Sequence, residues 1–342
     1  MHNPFVTVII PAFNCANFVE NAIESVFMQT YKNRELIVVD DGSKDDTAKH
    51  VLKYKDRLKY IYQENGGVSK ARNTGIKQSI GSYIAFLDAD DVWEKDKLEV
   101  QMEFFQRHKE VNLIFCSFKH KKNKIILENN IYEDTFNFFK EYNYTIRNIF
   151  EFNSSIVHQN KKVDFFCGDI YKYLFLGNFI LPSSAIFKKE SLNTVGLLNE
   201  KYRVAEETEF FLRYSRYNRI GFVNYPLLYY EVPDPDNLSG KRNTEKLIRN
   251  ALKIQIDSLV QNHDYYKKNA GFFDKGLSMT YCRLAYYYLS EYMILKSRKY
   301  AIYGIKTCKW NMKLYWILML GFLPKHWLEN LVKVKQWGMK RA

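Results

Sequence analysis

The chain has few cysteines, and none is placed to do chemistry. Cys15, Cys116, Cys167, Cys282 and Cys308 are odd in number and far apart, with no CxxC or Cys/His cluster. That excludes a zinc site of the usual spacing and gives no disulfide framework. Most lie in apolar stretches and read as reduced core thiols, the state expected in the cytoplasm. Met1 to Val6 holds no basic segment leading into an apolar one, so no secretory leader is expected. No GxGxxG follows the first apolar run, which disfavours a dinucleotide-dependent dehydrogenase. The uncharged run Leu314 to Leu323 is about half the length a bilayer-spanning helix needs.

Acidic residues are scarce in the last third. Residues 1–120 carry 16 Lys and Arg against 17 Asp and Glu, residues 121–240 carry 15 against 15, and residues 241–342 carry 20 against 6. The net charge of +13 therefore belongs to the C-terminal region. No nucleic-acid recognition motif accompanies it, so nucleic acid is not an expected partner. An anionic membrane face suits it better. Past Pro324, Trp327, Leu331 and Val334 recur at helical spacing among Lys325, Lys333, Lys335, Lys340 and Arg341. An apolar-aromatic wedge with a basic rim suits an interfacial helix. A helical subdomain packed on a core is the competing explanation.

What is present is a large apolar fraction, 46% of 342 residues with 16% aromatic, enough for one large core or a core domain plus a helical one. Short apolar runs alternate with helical patterns: Val6 to Ile10, then Phe18 to Phe27; Leu36 to Val39, then Thr47 to Lys53; Leu58 to Tyr62, then Ser69 to Ser79; Tyr83 to Leu87. This is the rhythm of a mostly parallel α/β sheet, and the strand runs do not alternate polar with apolar, as expected when both faces are covered. Asn17 with Glu20, and Ser43 with Asp46, have capping-box spacing. Residues 121–175 show little periodicity and form a variable insertion. A strand-like run spans Asn178 to Phe187, a helix Glu206 to Tyr217, and helical pattern continues after Gly240.

Open parallel sheets bind ligands beyond the carboxyl ends of their strands. There stand Pro11-Ala12-Phe13-Asn14, Asp40-Asp41-Gly42-Ser43 and Asp88-Ala89-Asp90-Asp91. Gathered carboxylates need a cation, and Mg²⁺ or Mn²⁺ completed by phosphate oxygens is the usual one. Asp90 is the expected metal ligand, beside Asp88 and Asp91. An acidic helix start is the competing explanation, which the second acidic strand end at Asp40-Asp41 disfavours.

Five blocks carry a resemblance: Thr7 to Asn14, Gln29 to Tyr31, Glu35 to Ser43, Asn65 to Ile76 and Gly81 to Asp91. In order and spacing they resemble the family 2 glycosyltransferases of the GT-A fold, closely over about the first 120 residues and more loosely to about 240. The resemblance implies a Rossmann-like GT-A domain over residues 1–240, with 121–175 as acceptor region, and a basic helical region over 241–342. It implies inverting transfer from a nucleotide-sugar, usually a UDP-sugar, with Mn²⁺ or Mg²⁺. Base-binding positions fall on Pro11, Phe13 and Asp41, with Asp40 in support. Asp88 and Ala89 fall near the ribose or diphosphate, Asp90 on the metal and Arg72 in the nucleotide pocket.

The catalytic base falls in Glu206-Glu207-Thr208-Glu209, on Glu207, where the family has Asp. The carboxyl chemistry survives that exchange, so geometry decides; Glu206 or Glu209 could share the work, and Arg213 would be their structural partner. Tyr229-Tyr230-Glu231 and Asp236 to Ser239 resemble the family's closing loop without its His or Arg, with Asn237, Ser239, Lys241 or Arg242 as phosphate neighbours; a polar turn after Pro226 is the competing explanation. A glycan or lipid-linked oligosaccharide acceptor, at the inner face of the cytoplasmic membrane, is the expected second substrate. A non-catalytic nucleotide-sugar-binding subunit is the rival, because of Glu207 and the missing His.

Overall fold

The computed structural model describes residues 4–122, 125–126, 136–231 and 243–323. The chain divides into two compact units, residues 1–233 and 234–342. The first holds strands β1 (Val6–Ala12), β2 (Arg34–Asp40), β3 (Lys59–Tyr62), β4 (Tyr83–Phe86), β5 (Val92–Trp93), β6 (Val111–Lys122), β7 (Ile125–Ile126), β8 (Glu151–His158), β9 (Lys161–Gly168), β10 (Ile186–Lys188) and β11 (Arg219–Glu231). Its helices are α1 (Val19–Phe27), α2 (Thr47–Leu52), α3 (Val68–Gln78), α4 (Lys97–Arg107), α5 (Asn137–Tyr142), α6 (Ile146–Ile149), α7 (Tyr171–Leu176), α8 (Leu192–Val195) and α9 (Glu206–Ser215).

One sheet runs in the order β3-β2-β1-β4-β10-β6-β11-β9-β8, with β5 on β11 and β7 on β6. The expected α/β sheet is present, and its parallel part is β3-β2-β1-β4. Val8, Ile9, Ile10, Ile37, Val38 and Val39 there are wholly buried, which explains the absence of alternation. Close cover by α3 depends on Gly75, whose added Cβ would lie 2.4 Å from Ile9 Cγ2. Beyond β4 the sheet is mixed: β10 runs antiparallel to β4 and β6, while β6 and β11 pair in parallel. Parallel register aligns Ala12 with Asp40, so the polar segments after β1, β2 and β4 meet along one edge.

Several local expectations are corrected. Of the run Asn178 to Phe187, only Ile186 and Phe187 enter a strand; Pro182 opens a 3-10 turn, Pro182–Ser184, because it has no N–H for a ladder. The capping signatures do not cap: α1 and α2 begin without a side-chain cap bond. Ser43 Oγ instead accepts from Asn14 N at 3.0 Å, tying the first two strand ends together. The aperiodic 121–175 stretch contains the end of β6, β7, α5, α6, a β8–β9 hairpin and part of α7. Helix α9 stops at Ser215, two residues short of Tyr217.

The second unit is helical: α10 (Thr244–Gln261), α11 (His263–Lys268), α12 (Ala270–Ser290), α13 (Ile294–Thr307) and α14 (Met312–Leu320). Helices α12 to α14 close on Cys282, Ala285, Leu289, Ala301, Leu314 and Ile317. Gly304 lets α13 approach α14, since a Cβ there would lie 2.5 Å from Leu314 Cδ1. No described helix is long and apolar enough to cross a membrane. The residues after Pro324 and the segment Asp236 to Arg242 lie outside the described residues.

Candidate active site

Asp40 and Asp41 end β2 and are both buried. Asp40 accepts from Ser43 N and Tyr60 Oη, each at 2.8 Å. Asp41 organises the next loop: Oδ1 accepts from Gln63 Nε2 at 2.6 Å and Gly66 N at 2.9 Å, and Oδ2 from Gly67 N at 2.7 Å. Asn65 Nδ2 donates to its carbonyl at 3.0 Å. Asn65 and the two glycines are therefore loop formers, and Gly67, at φ 92, is in a conformation that favours glycine. A nucleobase contact through Asp41 would use an oxygen that already accepts from this loop. Pro11 is partly buried and Phe13 is half exposed just past β1. The Asp41 amide donates to Ala12 O at 2.8 Å, so Pro11, Phe13 and Asp41 stand side by side.

Arg72, on α3, is buried rather than a surface residue. Its Nη2 donates to Asp88 Oδ1 at 2.7 Å and its Nη1 to Glu206 Oε1 at 3.2 Å. One guanidinium thus joins the end of β4 to the first turn of α9. Burial alone would depress its pKa, but Asp88, Glu206 and Glu207 hold it above the ordinary value. Its Nε, buried, has no hydrogen-bond partner, and such orphaned donors are uncommon.

Beyond β4, the Asp88 amide donates to Ser183 Oγ at 3.0 Å and the Asp91 amide to Asp88 O at 3.1 Å, folding the acidic segment into a turn with Ala89 buried beneath it. Burial, with Asp88 and Glu231 nearby, pushes Asp90 up to about 6, while Lys121 opposes the shift. Asp91 is raised further, by burial and then by Asp90 and Asp88. Its Oδ1 accepts from Glu231 N at 3.0 Å, so it anchors the end of β11. The repulsion felt by Asp90 and Asp91 favours their protonated forms, and a cation bound there would relieve it. Among the described residues no group of three or more His, Cys, Asp or Glu is arranged to hold a metal. One or two carboxylates nevertheless suffice where phosphate and water complete the shell, and Asp90 with Asp88 fits that donor set.

Ala205, immediately before α9, has φ 66, a left-handed conformation that costs a residue with a Cβ about 1–2 kcal/mol. Strain of this kind, held where two acids begin a helix, is often associated with function. Burial, then Glu206 and its hydrogen bond, raise the Glu207 carboxyl to about 8, with Arg72 opposing. Glu209 is committed elsewhere, to Arg213 at 2.6 and 2.8 Å. Arg213 also donates to Leu197 O at 2.9 Å and to Val195 O, which makes it a structural partner.

Ser183 and Lys121 escaped sequence reasoning, while Tyr229, Tyr230 and Glu231, expected in a closing loop, instead end strand β11, held by pairing with β6. Ser183 sits under the acidic turn, Trp93 Nε1 donating to its carbonyl at 2.7 Å. Lys121 and Glu231 are register partners on β6 and β11 and face each other at 3.8 Å. Tyr230 lies within the field of Asp88, Asp90, Asp91 and Glu207, its pKa raised first by burial and then by these acids. The Pro-Ser-Ser break in an apolar run is the sequence signal for Ser183.

A parallel half-sheet, acids at the β4 end and an acidic helix start at α9 are the features of a GT-A-type glycosyltransferase domain. Residues 7–191 match the family described as "Glycosyl transferase family 2", and the chain belongs to that family. It is 32% identical over 315 residues to an uncharacterized glycosyltransferase of Rickettsia felis, covering 82% of this chain and 46% of that protein. It is 38% identical over 133 residues to the Escherichia coli UDP-Glc:alpha-D-GlcNAc-diphosphoundecaprenol beta-1,3-glucosyltransferase WfgD, covering 38% of this chain and 50% of that one. Half or less of each of these two relatives is thus spanned. The S. aureus TarS 1-349 structure in complex with UDP-GlcNAc superposes with a TM-score of 0.60 at 18% identity, covering 92% of this chain and 84% of that one; the likeness speaks for the fold.

Proposed function

We propose that the chain is an inverting, metal-dependent glycosyltransferase using a nucleotide-sugar donor, most simply a UDP-sugar. The observation that carries the reading is Arg72, buried between Asp88 and Glu206, which draws the donor-side acids and the base-bearing helix into one cleft. Pro11, Phe13 and Asp41 hold the nucleobase; Asp88, Ala89 and Arg72 line the ribose and diphosphate. A divalent ion on Asp90, Mn²⁺ or Mg²⁺, would supply charge stabilisation for the departing diphosphate. Glu207 takes the acceptor hydroxyl proton as the oxygen attacks the anomeric carbon. The donor C–O bond breaks from the opposite side, and the nucleoside diphosphate leaves with its electron pair.

The WfgD name supports a lipid diphosphate-linked glycan acceptor; cell-surface polysaccharide synthesis at the inner face of the cytoplasmic membrane completes the proposal. The domain boundary at 240 and the acceptor role of 121–175 belong to the same reading. A non-catalytic binding subunit is favoured by one observation, the raised Glu207 pKa, which keeps that group protonated at neutral pH. A panel of nucleotide-sugars screened for metal-dependent release of nucleoside diphosphate separates the two. Release lost in Asp90→Ala and Glu207→Gln supports the enzyme; no release with any donor supports the binding subunit.

A further inference from the structure

Helix α14 has apolar side chains on opposite faces. Leu314 and Ile317 point inward to the core of the second unit, yet Met312, Trp316 and Met319 are each more than 60% exposed, as are Trp310 before the helix and Phe322 after it. At 100° per residue, positions 312, 316 and 319 share one stripe, opposite 314 and 317. A surface helix ordinarily turns a polar stripe to water. The turn after α14 is held in place: Arg298 donates to Gly321 O and stacks on Phe322, 3.8 Å from the ring centre.

The charge around this stripe is one-sided. Residues 294–323 contain six Lys and Arg and no Asp or Glu, and Lys309 and Lys313, on either side of Trp310 and Met312, are exposed. Lysine is depleted in the cores of protein interfaces, and a second copy of this chain would bring the same positive rim against itself. Tryptophan sits preferentially at bilayer headgroup level, and lysine is attracted to anionic lipid.

We propose that the outer stripe of α14, Met312, Trp316 and Met319 with Trp310 and Phe322, inserts at the headgroup level of an anionic bilayer while Lys309 and Lys313 engage lipid phosphates. This deepens the membrane-carried-acceptor reading and rests on it for its biological purpose. It assigns the contact to α14 and its flanking turns, a segment too short to span.

The test is co-sedimentation of the full chain with vesicles of phosphatidylcholine, alone or mixed with phosphatidylglycerol. The chain pellets with the mixed vesicles, less so in high salt, and its tryptophan emission shifts to the blue. Trp316→Glu combined with Met319→Glu weakens binding roughly hundredfold, about tenfold for each large apolar side chain withdrawn from lipid. Lys309→Glu with Lys313→Glu weakens it in low salt only, and Trp316→Phe retains it. An unchanged melting temperature shows that the variants fold. The proposal is overturned by equal pelleting of the Trp316/Met319 variant, by binding indifferent to phosphatidylglycerol, or by a solution dimer that this variant dissolves. Turnover of a soluble acceptor is measured in parallel. Vesicle binding without turnover sinks the transfer reading alone; turnover without vesicle binding sinks this one alone.

Discussion

Glu206→Gln tests whether Glu207 is the base. Burial and the adjacent Glu206 raise the Glu207 carboxyl from 4.5 to about 8. At pH 7 such a group is ionised in about one molecule in ten, so kcat/KM should rise roughly tenfold from pH 7 to pH 9 and fall about tenfold per unit below pH 7. Glutamine at 206 can still accept from Arg72 Nη1 but removes the charge that opposes ionisation of Glu207. The rising limb should therefore move to lower pH, and the gain between pH 7 and pH 9 should shrink. Initial rates of nucleoside diphosphate release at saturating metal isolate this limb, because bound metal keeps Asp90, otherwise pushed up to about 6, ionised. A wild-type profile flat from pH 6 to pH 9, or an unshifted limb in the variant, would refute Glu207 as the base. The stability sign is opposite: a carboxyl raised in the folded state favours folding less as pH climbs from its unfolded value toward 8. Glu207→Gln should thus melt higher than wild type at pH 9, by about 2–4 °C per kcal/mol relieved, while transfer is lost.

Arg72→Met leaves Asp88 and Glu206 without their shared cation and should cost about 3–5 kcal/mol, read as a lower urea midpoint; Arg72→Lys should recover part of the stability but little of the activity, lacking the fork. Mn²⁺ with UDP at about 100 times its Kd should add about 2.7 kcal/mol of stability, seen as a higher melting temperature, and Asp90→Ala should remove the metal-dependent part. Gly75→Ala, whose Cβ would lie 2.4 Å from Ile9 Cγ2, should destabilise by about 1–3 kcal/mol in chemical denaturation without altering KM for the donor. Ala205→Gly relieves the left-handed strain at φ 66 and should gain about 1 kcal/mol if the backbone holds its course; lower activity there would show that strain positions the helix.

The parallel half of the sheet and the position of its acids were legible because they are local. Val6 to Ile10, Leu36 to Val39 and Tyr83 to Leu87 are unbroken apolar runs, and parallel pairing puts whatever follows them on one edge. The Glu206 helix was legible too, from its acidic start and the spacing of Phe210, Phe211 and Tyr214. The family blocks added roles to these positions but no geometry.

Tertiary structure alone decided who partners whom. Arg72 lies 134 residues from Glu206, and no local pattern distinguishes an exposed helical arginine from one buried between two carboxylates. Asp41 reads as a free strand-end acid until the Gly66 and Gly67 amides are seen to close on it. Lys121 and Glu231 become neighbours only through the register of β6 and β11, and Ser183 reaches the Asp88 amide across 95 residues. Periodicity records which face of an element is buried. The protonation of Glu207 and the charge around Asp90 depend on what the rest of the chain places against that face.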